Sequence, residues 1–181
     1  MSFTQNNPSK FTFIHIPKNA GTAIKRMMKA DVRKNKHCDI YECRELWGDE
    51  LGFTFAVVRN PWDRMVSYYN YMKKQNARVW KGVSFEQFIM SEDWLRVGKQ
   101  QHEYFDEVDM VLRYENIEED LKTLSDKIGF KPTKLRVHNQ SKWKGHYSDF
   151  YNDKTKEEVY RRCRVDIDKF GYTFEENKND P

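Results

Sequence analysis

Apolar residues follow two patterns along the chain, short continuous runs and longer stretches with helical spacing. Runs rich in aromatic and β-branched residues predict buried strands at 11–16, 53–58 and 110–114. Capping residues and helical spacing predict helices at 23–29, 42–46, 62–74, 85–90, 116–128 and 155–170. Strands that alternate with helices are typical of a parallel sheet with helices on both faces. We therefore expect a three-layer α/β fold whose ligands bind at the carboxyl ends of the strands.

Length and composition narrow the class of protein. With 181 residues the chain can bury a core, and we expect one domain over 1–181 with flexible ends at 1–9 and 175–181. The net charge of +4 fits a local basic site for an anionic ligand and argues against a nucleic-acid partner. No apolar stretch approaches the roughly 18 residues that span a membrane, and residues 1–10 lack an apolar signal core, so we expect a cytoplasmic protein.

The cysteines are Cys38, Cys43 and Cys163, an odd number that indicates reduced thiols in a reducing compartment. His37 beside the first two suggests part of a metal site. A fourth ligand at a suitable spacing is missing, so we expect no metal.

The connection after the first strand carries the strongest chemical signal. Pro17 ends the strand, the turn at 18–22 holds Lys18 and Gly21, and a helix follows. The first amides of a helix have no internal partner and its dipole is positive there, so this turn predicts an anion cradle. The spacing differs from the common GxxxxGK[ST] nucleotide loop, because the lysine precedes the glycine. The alternative is an ordinary connection with a surface lysine.

A second strand-to-helix connection repeats this arrangement. Arg59 follows the second strand, and Ser67 lies about two helical turns further on. An arginine at a strand end and a hydroxyl on the next helix can bind a second phosphate. The alternative is a solvated Arg59 and a Ser67 that bonds only to the backbone. Together, the two connections predict one ligand with two phosphates.

The segments HIPKNAGTA and VRNPWDRMVSYY resemble the paired signatures of sulfotransferases that use 3′-phosphoadenosine 5′-phosphosulfate (PAPS). The resemblance is to the carbohydrate sulfotransferase branch more than to the branch that acts on small molecules, and it extends from about 11 to 174. The blocks at 44–49, 112–116 and 166–172 also belong to it. It implies a P-loop-like fold with a central, mainly parallel sheet flanked by helices, PAPS as donor and PAP as product.

The resemblance also implies roles for individual residues. The 5′-phosphosulfate would be held by Lys18, Asn19, Ala20, Gly21, Thr22 and Ala23. Lys18 would also stabilise the bridging oxygen as the sulfuryl group leaves. The 3′-phosphate would be held by Arg59 and Ser67. A late basic loop that closes over the nucleotide would correspond to 139–147, with Lys142 and Lys144 as candidates, and the alternative is a solvated loop.

A histidine near neutrality suits the base that takes the proton of the acceptor hydroxyl. We place His37 first, because members of this branch often carry a catalytic histidine before the second strand. His102 comes second, and a carboxylate such as Glu42 or Glu45 third. His15, beside the turn, fits an orienting role. A plain surface role is the alternative for each histidine.

The acceptor implied by the resemblance is a hydroxyl of a glycan or glycoconjugate, and the oligomeric state stays open. Aromatic side chains could stack on sugar rings, or could belong to the core: Tyr71, Trp80, Trp94 and Tyr104. One alternative function is a nucleotide kinase-like phosphotransferase, which needs a GxxxxGK[ST] loop and a magnesium-binding aspartate. Another is a non-catalytic protein of the same fold that binds a nucleotide or a polyanion.

Overall fold

The computed structural model describes residues 11–28, 37–75, 78–91, 99–129 and 145–175. Its strands are β1 (Phe11–Ile14), β2 (Phe53–Val58) and β3 (Met110–Arg113). Its helices are α1 (Gly21–Met28), α2 (Ile40–Trp47), α3 (Pro61–Gln75), α4 (Phe85–Met90), α5 (Ile117–Ile128) and α6 (Asp153–Phe170). Short 3₁₀ turns lie at Gly48–Leu51, Gln101–Tyr104, Tyr114–Asn116 and Tyr147–Phe150. The chain divides into two compact units, Met1–Val58 with Glu103–His138, and Arg59–His102 with Asn139–Pro181.

The first unit contains a parallel sheet of three strands in the order β1-β2-β3. Ile14 of β1 pairs with Ala56 of β2, and Val58 of β2 pairs with Arg113 of β3. The carboxyl ends of the strands therefore lie at one edge of the sheet. This confirms the predicted α/β class with a parallel sheet, while the three-layer, P-loop-like arrangement stays a prediction.

The core of the first unit joins the sheet to α1 and α5. Its buried side chains are Ile24, Met27, Phe55, Val57, Leu112, Leu121 and Leu124. Helix α5 presents Leu121 and Leu124 at helical spacing and ends at Gly129, whose φ of 69° is the left-handed conformation that glycine adopts readily. The amphipathic helix predicted for this segment is confirmed.

The second unit packs α3, α4 and α6 together. Tyr69 of α3 meets the ring of Phe85 edge to face, with ring centroids 5.4 Å apart. Helix α4 begins at Ser84, whose hydroxyl accepts the amide of Gln87 while the Gln87 side chain accepts the amide of Ser84. The helix predicted at 85–90 is confirmed, and Ser84 is its cap.

Element boundaries near the first connection differ from the prediction. Strand β1 ends at Ile14 instead of Ile16, and α1 begins at Gly21 instead of Ala23. The helix begins early because the carbonyl oxygen of Ala20 accepts the amides of Ala23 and Ile24. Two predicted turn residues, Gly21 and Thr22, therefore form the first turn of the helix.

Other boundaries move by a few residues. Helix α2 covers 40–47 rather than 42–46, and α6 begins at 153 rather than 155 because Asn152 caps it. Within the described ranges, no helix is both long and apolar enough to cross a membrane.

Candidate functional site

The turn between β1 and α1 has an unusual backbone. Lys18 has a φ of 71° and Ala20 a φ of 59°, so two residues with a Cβ adopt the left-handed region. Each such residue costs about 1–3 kcal/mol and persists where its surroundings impose the conformation, often at a ligand site. Left-handed and right-handed residues in succession direct backbone N–H groups into a shared concavity that suits an anion.

Buried contacts hold this turn against the sheet. The side-chain amide of Asn19 donates to the carbonyl oxygen of Val57 in β2 over 2.7 Å, and Asn19 is only 1% exposed. Gly21 and Thr22 precede the first intrahelical hydrogen bonds of α1, where helix geometry leaves amides available to a ligand. The turn is thus fixed at the carboxyl edge of the sheet with the start of a helix at its end.

The ring of His15 covers the start of α1. A Cβ added to Gly21 would lie 1.9 Å from both Cδ2 and Nε2 of His15, so only glycine fits beneath the ring. The same ring stacks on Phe13 and lies 4.3 Å from the ring of His37, measured between centroids. His37 Nδ1 lies 3.2 Å from the carbonyl oxygen of His15. The structure therefore places His37 against His15, which lies two residues before Pro17 and the turn.

Helix α2 begins three residues after His37. Asp39 and Glu42 form a capping box, in which each side chain accepts the other's backbone amide over 2.9 Å. Cys38 and Cys43 flank this box as buried thiols joined by a hydrogen bond. Burial raises the pKa of the Cys43 thiol to about 12, so this pair is protonated at neutral pH. Glu42 has a structural role here, which weakens its candidacy as a base.

Arg59 follows β2 and is held at the start of α3. Its Nε donates to Oδ2 of Asp63 over 2.7 Å, and its side chain is only 11% exposed. The solvated Arg59 considered as the alternative is therefore wrong. Ser67 is half-buried and lies one helical turn beyond Asp63 on the same face of α3. Arg59, Asp63 and Ser67, named here the Arg59 cluster, thus follow one another at a spacing of four residues within the second unit.

Gln101 and Asp166 are two residues that sequence reasoning missed. The Gln101 side chain accepts the amide of Arg59 over 2.8 Å and donates to its carbonyl oxygen over 2.9 Å. Asp166 accepts the amides of Gln101 and His102 and also contacts the His102 ring. Gln101 and Asp166 are both 0% exposed. Asp166 begins the block at 166–172 that belongs to the family resemblance, but its role could not be predicted from that block because its partners lie 64 and 65 positions away.

The remaining predicted residues separate into three groups. Lys142, Lys144 and Trp94 lie outside the described residues. Trp80 and Tyr104 are buried and so are unavailable to stack on a sugar, whereas Tyr71 is exposed. Among the described residues, no group of three or more His, Cys, Asp or Glu side chains is placed to hold a metal ion.

Comparison with known proteins adds a family assignment to this geometry. The model of the sulfotransferase family matches residues 1–173. An uncharacterized protein of Archaeoglobus fulgidus is 34% identical over 90 residues, which cover 46% of this chain and 72% of that protein. No solved structure matches the chain. Because the family match covers nearly the whole chain and includes the strained turn and the Arg59 connection, this protein belongs to the sulfotransferase family.

Proposed function

We propose that the protein transfers a sulfuryl group from PAPS to a hydroxyl of a carbohydrate acceptor and releases PAP. Membership of the family supports sulfotransfer in general, and the family generally uses PAPS. The observation that carries the proposal is the turn at 18–20. Its strained backbone, anchored by a buried asparagine and followed by a helix start, is suited to an anionic group.

The residues of the turn fit the 5′-phosphosulfate end of the donor. Amides of Gly21 and Thr22 at the start of α1 would bind its oxygens. Lys18 supplies a full positive charge. As the bond between sulfur and the bridging oxygen breaks, negative charge develops on that oxygen, and a fixed cation stabilises it.

Arg59 and Ser67 fit the 3′-phosphate. Asp63 holds the Arg59 guanidinium in one orientation, which reduces the rotamer entropy lost when a phosphate binds. Ser67 adds a hydroxyl donor one turn along α3. Lys142 and Lys144 complete the proposal as cations of a loop over the nucleotide, on the grounds of the family resemblance alone.

Two histidines qualify as the base for the acceptor hydroxyl. His37 lies beside the turn, with Nδ1 next to the carbonyl oxygen of His15. His102 lies in the second unit, with Nδ1 next to Asp166. In both, an acceptor at Nδ1 favours the tautomer that carries its hydrogen there and leaves the lone pair on Nε2. Either ring is therefore prepared to accept a proton at Nε2.

The proposal also covers the cellular compartment, the fold and the acceptor. Three buried, free thiols support a reducing, cytoplasmic environment. The parallel sheet and the anion-binding turn at its carboxyl edge support a P-loop-like fold. An exposed Tyr71 supports an acceptor with a ring that can stack.

Titration calorimetry without magnesium tests the donor site. We expect adenosine 3′,5′-bisphosphate to bind more tightly than AMP, because it alone carries both of the phosphates that the proposal assigns to protein residues. Equal affinity for AMP and the bisphosphate would contradict the assignment of two phosphate sites. A preference for ATP with magnesium would instead favour the kinase-like phosphotransferase.

A further inference from the structure

Asp166 is a buried carboxylate that accepts several hydrogen bonds from one other segment of the chain. It lies in α6, and its oxygens accept the backbone amides of Gln101 and His102 over 2.8 Å each. Oδ1 also lies 2.7 Å from Nδ1 of the His102 ring. Burying a carboxylate is unfavourable unless hydrogen bonds satisfy it, so its position is set by what it holds.

The contact with Asp166 determines the tautomer of His102. A carboxylate oxygen that already accepts the His102 amide is an acceptor, so Nδ1 of the ring must donate to it. The neutral imidazole then carries its hydrogen on Nδ1 and its lone pair on Nε2. The side chain of His102 is 24% exposed while that of Asp166 is 1% exposed, so the pair has one solvent-accessible member.

The same carboxylate connects the histidine to the Arg59 cluster. Through Gln101, whose side-chain amide bonds to both the N–H and the carbonyl oxygen of Arg59, Asp166 fixes the backbone that follows β2. All four residues belong to the second unit. A single buried group therefore holds both a histidine ring and the connection to which the 3′-phosphate was assigned.

The geometry points to His102 as the base of the proposed sulfotransfer and to Asp166 as its positioning residue, an inference that rests on the proposed function. The acceptor oxygen forms a new S–O bond. The S–O bond to the donor phosphate breaks, and its electron pair stays on the phosphate oxygen. The hydroxyl proton moves to Nε2 of His102, and the carboxylate of Asp166 stabilises the imidazolium that results.

This pair is better prepared than the competing His37. The Nδ1 of His37 lies 3.2 Å from a neutral carbonyl oxygen, whereas that of His102 lies 2.7 Å from a carboxylate. Hydrogen bonds to a charged acceptor are shorter and about twice as strong as neutral ones. A carboxylate also stabilises the protonated ring, which a carbonyl does much less. The charge of Asp166 therefore favours His102 over the residue placed first from the sequence.

Nitrogen-15 NMR of the histidine rings tests the assignment without any sulfotransfer. The ring signals of His102 are identified by their loss in His102→Ala. We expect the neutral ring to show hydrogen on Nδ1 and none on Nε2, and Asp166→Asn to shift the population toward the other tautomer. A wild-type ring with hydrogen on Nε2 would overturn the inference. The wild-type spectrum alone gives this result, even if Asp166→Asn fails to fold.

A double-mutant cycle on kcat tests the catalytic part. We expect His102→Ala to lower kcat about 10²–10⁴-fold, and Asp166→Asn to lower it by a smaller factor. In the His102→Ala background, Asp166→Asn should have almost no further effect, because it acts through the lost ring. Additive losses would mean a merely structural Asp166 and would overturn the inference. A fall in kcat for His37→Ala with His102→Ala near wild type would overturn it too.

Asp109→Asn is the matched control for the change from carboxylate to amide. Asp109 accepts the amide and the hydroxyl of Thr54 in the first unit, and it has no assigned role in the reaction. Loss of the Asp109 carboxylate should lower the melting temperature and leave kcat and the His102 spectrum unchanged.

Absence of transfer by the wild-type protein would overturn both the proposed function and this inference, whereas transfer with additive losses would overturn the inference alone.

Discussion

Replacing Gly21 by alanine is the sharpest structural test of the turn. The added Cβ would lie 1.9 Å from two atoms of the His15 ring, well inside the van der Waals limit. Gly21 is the first residue of α1, and its φ is outside the left-handed region, so alanine meets no backbone obstacle there. The requirement for glycine is therefore steric and comes from one identified side chain.

The size of the effect follows from the contacts that the His15 ring would lose on moving away. The ring lies 5.7 Å from the Phe13 ring and 4.3 Å from the His37 ring, measured between centroids. At about 0.5–1.5 kcal/mol for each ring pair, the loss is roughly 1–3 kcal/mol. Alanine returns up to about 1 kcal/mol through its helix propensity. We therefore expect Gly21→Ala to lower the free energy of unfolding by up to about 3 kcal/mol.

Urea denaturation of four proteins measures this effect: wild type, Gly21→Ala, His15→Ala and the double variant. With the ring removed, the new methyl group has space, and Gly21→Ala should be neutral or stabilising by up to about 1 kcal/mol. The sign of the glycine effect should thus depend on the residue at position 15. If Gly21→Ala destabilises both backgrounds equally, His15 does not cover the turn and the reasoning is refuted.

Other predictions concern the phosphate residues and a buried thiol. Lys18→Ala should lower kcat about 10²–10³-fold with a smaller loss of donor affinity, because backbone amides still bind the phosphate. Replacement of the exposed Lys122 by alanine is the control. A near-normal kcat of Lys18→Ala at saturating donor would contradict the role of Lys18. Arg59→Ala should weaken binding of adenosine 3′,5′-bisphosphate by about 1.5–3 kcal/mol in calorimetry while AMP is little affected, and the exposed Arg164→Ala should change neither. Burial raises the pKa of Cys163 from 9.0 to about 12, so the folded state keeps a proton that the unfolded state loses, and this thiol's contribution to stability falls by about 1.4 kcal/mol per pH unit between those values. Urea denaturation at pH 8 and about pH 10.5 should therefore show a smaller fall in the free energy of unfolding for Cys163→Ala than for wild type. Equal falls in the two proteins would contradict the raised pKa.

Local features of the fold were predictable from the sequence. Strand β2 and helix α4 have the predicted bounds, because a continuous apolar run and a Ser84 cap are signals carried by neighbouring residues. The ends of β1 and α1 were harder to predict. They depend on the left-handed backbone of Lys18 and Ala20, which residues with a Cβ do not reveal in a sequence.

The candidate site was predictable only where its chemistry is local. Lys18, Gly21 and Arg59 could be named because each follows a strand in a short motif. The resemblance implied that Gly21 helps to hold the 5′-phosphosulfate, whereas the structure adds the His15 ring above it. Gln101 and Asp166 were out of reach, since long-range packing alone makes one a clamp on a backbone and the other a partner for His102.

We propose above all that this protein moves a sulfuryl group and needs no metal to do so. The direct measurement is incubation with PAPS, excess chelator and a panel of mono- and oligosaccharides, with the products examined by mass spectrometry. We expect one acceptor to gain the mass of one sulfo group while PAP accumulates in equal amount. PAP that appears without a sulfated acceptor, at the rate of spontaneous donor hydrolysis, would contradict sulfotransfer, as would transfer of a phosphate in a parallel incubation with ATP and magnesium.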